Sequence, residues 1–146
     1  MPTRVLVDAN IFISYLLSPD SSGAIVSTVE SLWSADLELV FSDVLASEIR
    51  ATVARKPYLR ERIVLDDVDA LIDGLRAIAL PSNTSEPIEI APILRDRKDD
   101  YLLVEAFRTD ADYLVSGDRD VLDIRDDIAR PRIVNPAEFL TAISLP

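Results

Sequence analysis

Two short apolar runs in this chain of 146 residues drive straight into carboxylates. RVLVDAN, residues 4–10, passes through Val5, Leu6 and Val7 to Asp8, with the polar Asn10 close behind. YLVSGDRD, residues 113–120, passes through Leu114, Val115 and Ser116 to Asp118 and Asp120. One acid after a strand is ordinary turn chemistry. Two, with further acids on neighbouring segments, raise the question of a metal. The chain has no histidine and no cysteine, so any bound metal must be held by oxygen, which favours Mg²⁺ or Mn²⁺ over zinc, copper or iron. The same absences remove disulfides, thiolate nucleophiles and the imidazole base of serine-type hydrolysis or metal-free RNA cleavage. What remains is carboxylate chemistry, metal chemistry, or both.

Two predicted helices add to the set. Positions three and four apart share a helix face. From Asp99 those positions are Leu102, Leu103 and Ala106, so Asp99 is expected to face the packed side, with Asp100 and Glu105 turned away. Glu48 has Val44 and Leu45 behind it and Ala51 and Thr52 ahead, which places it in the buried stripe of its own helix. Each acid has an ordinary explanation: a strand-end turn for Asp8, a turn after Gly117 for Asp118, a first helical turn for Asp99, a stripe margin for Glu48. An ionised carboxylate on an apolar face is costly unless paired or bound to a cation. Four acids at the ends of core elements suit a hard-cation site better than four coincidences.

The elements that would position them alternate along the chain. Val5 to Val7 reads as a strand covered on both faces, and residues 37–41 as a second. Residues 21–33 read as a helix, and Ser42-Asp43 caps another that runs towards Arg55, with Pro57 closing it. Residues 58–78 read as one or two helices, and 81–92 as a loop with a short strand at 88–90. A helix over 99–108, strands over 113–116 and 132–134, and a final helix from Asn135-Pro136 to Ile143 complete the reading. This alternation predicts an α/β domain, one unit over residues 1–146, with a mostly parallel central sheet sandwiched by helices. In such sheets the functional crevice lies beyond the carboxyl ends of the strands, where Asp8 and Asp118 stand.

Composition narrows the setting. With 49% hydrophobic residues a disordered chain is excluded. No apolar stretch approaches a membrane span and no signal-type leader is evident, so no membrane partner and a cytoplasmic location are expected. The formal charge of −11, from 15 basic and 26 acidic residues, is unusual for a nucleic-acid binder, although acids that hold a divalent ion are offset once it binds.

VDAN at 7–10, SDVLASEIRATVARKP at 42–57, RDRKDDYLLVEA at 95–106, ADYLVSGDRDVL at 111–122 and IVNPAEFL at 133–140 resemble, in order, the motifs of PIN-domain proteins, and within them the VapC-like toxins of bacterial toxin–antitoxin pairs. The resemblance implies a Rossmann-like PIN fold and a Mg²⁺- or Mn²⁺-dependent ribonuclease. It maps the family's four acids onto Asp8, Glu48, Asp99 and Asp118 as metal ligands and catalytic residues, with Asn10, Ser116 and Asp120 in support. Arg97-Lys98 depart from the branch, which commonly has a proline and an acid there. That leaves a choice between Asp99 and Asp100, which the helix face decides for Asp99. Arg95, Arg97 and Lys98 are candidates for substrate phosphates, with Arg50, Arg55, Lys56, Arg60 and Arg62 a second basic group. The resemblance also implies an RNA substrate, a cognate antitoxin and a homodimer. Two other readings compete. A haloacid-dehalogenase-like phosphatase would want a second Asp where Asn10 stands. A catalytically silent PIN-like module would bind protein or RNA through the same acids.

Overall fold

A computed structural model of the chain describes residues 2–80 and 100–144. Five strands form one sheet in the order β3-β2-β1-β4-β5, with every neighbouring pair parallel. They are β1 (Thr3–Val7), β2 (Leu37–Val40), β3 (Ala79–Leu80), β4 (Tyr113–Val115) and β5 (Arg132–Val134). Helices α1 (Ala9–Leu17) and α2 (Ala24–Ser31) link β1 to β2. Helices α3 (Asp43–Arg55), α4 (Pro57–Arg62) and α5 (Leu65–Ile78) link β2 to β3. Helix α6 (Asp100–Thr109) leads into β4, α7 (Arg119–Leu122) follows it, and α8 (Pro136–Ser144) follows β5. The α/β architecture with a parallel sheet flanked by helices is as expected from the alternation.

The apolar continuity of β1 is explained by its place. It is the central strand, and Val5, Leu6 and Val7 are all buried, as a strand covered on both faces requires. From β1 the chain builds outward on one side through β2 and β3, then crosses to the other side of β1 for β4 and β5. The order therefore reverses between β1 and β4. At such a switch point the loops leaving adjacent strands diverge and open a crevice beyond their carboxyl ends.

Helices α3 and α5 run antiparallel. Asp43 pairs with Arg76 at 3.1 Å, and one seven-residue stride along each helix Arg50 pairs with Asp69 at 3.3 Å. Both pairs are exposed and add little stability; the buried Leu45, Ile49, Val68, Ile72 and Leu75 hold the hairpin. Phe12 of α1 meets Phe41 edge to face at 6.0 Å between centroids, which locks the first helix over the end of β2. At the opposite end of the strands Arg4 ties β1 to its neighbours. Its backbone N–H donates to Asp112 at 2.8 Å and its guanidinium pairs with Glu38 at 3.2 Å.

Several expectations change. Residues 9–17, without an assignment in the sequence reading, form α1. The helix expected over 21–33 is confined to α2, because Gly23 is its N-cap and Trp33 lies beyond its end, 47% exposed. Pro57 closes α3 and also opens α4 from its first position, where its missing N–H costs nothing. Glu105 does not turn away but is buried at 7% exposure. Leu102, Leu103 and Ala106 are buried with it, so the covered arc of α6 is about 160° wide, broader than a narrow stripe. Glu48 is half-buried, with Val44 and Ala51 exposed beside it, and so sits at the margin of its stripe. The strand expected at 88–90 lies outside the described residues.

Candidate functional site

The register brings the two acid-bearing strand ends together. Val7 stands opposite Val115 in the β1–β4 pairing, and the Asp8 N–H continues the ladder to the Val115 carbonyl at 2.9 Å. Asp8 and Ser116 thus leave adjacent parallel strands at the same level. The Ser116 hydroxyl donates to Asp8 Oδ2 at 2.7 Å and accepts the Asp118 backbone N–H at 3.0 Å. One buried oxygen therefore fixes the Asp8 carboxylate and the turn that carries Asp118.

Both acids also cap the helix that follows. Asp8 Oδ1 accepts the Asn10 N–H at 3.4 Å at the start of α1, and Asp118 Oδ1 accepts the Asp120 N–H at 2.9 Å at the start of α7. N-capping accounts for one oxygen of each carboxylate. It does not account for Asp8 being only 3% exposed. Among the described residues no Lys or Arg pairs with Asp8, Asp118 or Glu48. Burial pushes the Asp8 carboxyl above its ordinary value, and the nearby Asp118 charge pushes the same way. The Ser116 hydroxyl and the Asn10 and Ala9 backbone N–H groups pull it back only in part. A carboxyl raised by burial and by a neighbouring acid, with no Lys or Arg partner among the described residues, is the electrostatic pattern of a functional site.

Asn10 is exposed at the first turn of α1, and Asp118 and Asp120 are half-buried around α7. The structure thus collects Asp8, Asn10, Ser116, Asp118 and Asp120 beyond the carboxyl ends of β1 and β4. Glu48 stands on α3, which packs against α1, and its Oε1 accepts the Thr52 hydroxyl at 3.2 Å. Glu48 is not among the groups that act on the Asp8 carboxyl, and among the described residues no three acids lie close enough to share one ion. Asp99, Arg95, Arg97 and Lys98 lie outside the described residues. Thr52 was not singled out from the sequence; its signal is the four-residue spacing from Glu48, which puts both on one face.

The donor set suits a hard divalent cation. The Asp8 and Asp118 carboxylates and the Ser116 hydroxyl offer only oxygen, and one or two carboxylates with water complete a Mg²⁺ shell. The cost of burying the Asp8 charge, with the lesser repulsion from Asp118, is of the kind a cation relieves.

Comparison with curated proteins and with solved structures gives no significant match in either. A family model described as PIN domain matches residues 4–120, a span that runs from β1 through α6 and β4 to Asp120 and so takes in every acid of the candidate set. PIN domains are a nuclease-type fold family whose members generally depend on divalent metals. Matched over most of its length, and with a parallel five-stranded sheet that carries acids at the β1–β4 switch point, the chain belongs to the PIN-domain family.

Proposed function

We propose that this protein is a Mg²⁺- or Mn²⁺-dependent endoribonuclease, the VapC-like toxin of a type II toxin–antitoxin pair. The observation that carries the reading is Asp8, buried without a cationic partner among the described residues and near Asp118 at two adjacent parallel strand ends. Asp8 and Asp118 would hold the ion, joined by Asp99 and by Glu48 as a ligand or as the group that orients water. A divalent ion held there would supply activated water and charge stabilisation on a phosphodiester. Ser116 holds Asp8 in one orientation through its 2.7 Å hydrogen bond to Oδ2. Thr52 does the same for Glu48 from one helical turn away. Asn10 and Asp120 would contact the hydration shell or the substrate, and Arg95, Arg97 and Lys98 the flanking phosphates. A cognate antitoxin, a homodimer and a cytoplasmic setting accompany the proposal.

A second reading, a catalytically silent PIN-like module, draws on the capping roles of Asp8 and Asp118 and on the separation of Glu48 from them. The test is cleavage of a labelled single-stranded RNA by purified protein in Mn²⁺, beside Asp8→Asn and Asp118→Asn. The proposal expects internal cleavage by the parent alone, abolished by chelator. Equal cleavage by parent and Asp8→Asn contradicts it.

A further inference from the structure

A cavity of about 590 Å³ opens between the end of α1, the start of α2 and the start of α8, a volume in the range of small-molecule sites. Leu17, Ile25, Val26 and Pro136 give it apolar walls, and Ser14 and Asn135 bring polar groups to it. Among the described residues none that lines it is charged, in a chain whose residues are 28% charged. Asn135 Oδ1 accepts the Glu138 N–H at 2.8 Å, while its Nδ2 and the Ser14 hydroxyl make no hydrogen bond among the described residues.

Two paths connect the cavity to the acid pair. Ser14 stands four residues beyond Asn10 on α1, on the same face and about 6 Å along the axis. Asn135 directly follows Val134, whose carbonyl accepts the Ser116 N–H at 3.0 Å. The cavity walls are thus direct continuations of the elements that place Asp8 and Ser116.

We propose that this cavity binds the nucleoside part, sugar and base, of a residue flanking the phosphodiester held at Asp8 and Asp118, an inference that rests on the ribonuclease reading. The lining chemistry selects this occupant. Apolar walls cover a base or the face of a ribose, and the free hydroxyl and amide serve sugar hydroxyls or a base edge. Among the described lining residues there is no basic side chain to hold a phosphate and no acid to hold a basic peptide.

The test uses ¹⁵N-labelled Asp8→Asn protein without metal, titrated with the four ribonucleoside 5′-monophosphates and, separately, with inorganic phosphate. Saturable amide shifts are expected at Ser14, Ser18, Ala24 and Ala137 with at least one nucleotide and not with phosphate. Ala137→Trp, which fills the cavity from an exposed lining position, should erase those shifts. In the otherwise unaltered enzyme it should raise KM for an RNA oligonucleotide about tenfold or more, with Tm unchanged. Ser18→Tyr, at a second exposed lining position, replaces it should Ala137→Trp lower Tm. The inference is overturned by nucleotides that leave these amides unmoved, by equal shifts with phosphate, or by an unaltered KM. It is equally overturned if the filled variant changes only the oligomeric state by light scattering, which would mark a face between copies. The titration needs neither metal nor cleavage. A protein that cleaves RNA but shows no shifts here refutes the cavity alone, and localised shifts in a protein that never cleaves refute the nuclease reading alone.

Discussion

Replacing Asp8 by Asn should abolish cleavage and, without metal, make the protein more stable. At neutral pH the folded chain holds a carboxylate 3% exposed, with a 2.7 Å bond from Ser116, a long 3.4 Å contact from Asn10 and Asp118 nearby. The amide keeps the shape. Its oxygen can accept the Asn10 N–H, and its nitrogen can donate to Ser116 Oγ, whose two lone pairs then take the amide and the Asp118 N–H. The charge is lost together with the acceptor of the Ser116 hydroxyl proton, and since a buried charge costs more than a neutral polar group, the net relief is about 1–3 kcal/mol. At roughly 3 °C per kcal/mol for a chain of this size, Tm in chelator should rise by about 3–9 °C. The gain has a pH signature. Because the folded carboxyl titrates above the unfolded value of 3.8, the folded state binds the proton more tightly, and its benefit is fully present only below that value. It is lost as pH rises through the folded pKa. The advantage of Asp8→Asn should therefore be near zero at the acid end and complete at neutral pH. Urea unfolding of both proteins in chelator at pH 4 and pH 7 measures it. A variant less stable than the parent at pH 7 by more than about 1 kcal/mol would mean that the Asp8 carboxylate contributes to the fold, the opposite of a buried charge under strain.

Ser116→Ala removes two hydrogen bonds from a fully buried oxygen and should cost about 1–3 kcal/mol in chemical denaturation. Since the Ser116 bond lowers the Asp8 pKa, its loss should also move the acid limb of the pH–activity profile to higher pH. Glu48→Gln retains the Thr52 contact and sits half-buried, so Tm should stay within about 2 °C while kcat for RNA falls at least tenfold. Mn²⁺ at about a hundred times its Kd should stabilise the parent by about 2.7 kcal/mol in a thermal shift and leave Asp8→Asn/Asp118→Asn unmoved.

The parts of the site legible in the sequence are those where side-chain chemistry conflicts with local pattern. Asp8 and Asp118 stand out because an apolar run has no reason of its own to end on a carboxylate. The parallel sheet was legible because Val5-Leu6-Val7 has no polar alternation. Strand order was not, since nothing local states that β4 pairs with β1, and only that pairing makes Asp8 and Ser116 neighbours. β3 has two residues, too few to show any period, and its burial is only partial. ANIFISYLL was missed as a helix because four buried residues in its first five positions mask the periodicity. The burial of Glu105 is not legible from spacing, because α6 is covered over an arc wider than a single apolar stripe. The roles of Ser116 and Thr52 depend on hydroxyl geometry that spacing alone does not specify.

Diffraction from crystals soaked in Mn²⁺, collected for anomalous signal, tests the central claim most directly. A peak is expected in the crevice beyond β1 and β4, with carboxylate oxygens of Asp8 and Asp118 within about 2.3 Å of it. A fully soaked crystal with no peak there, or with Mn²⁺ bound only to surface acids elsewhere, would contradict it.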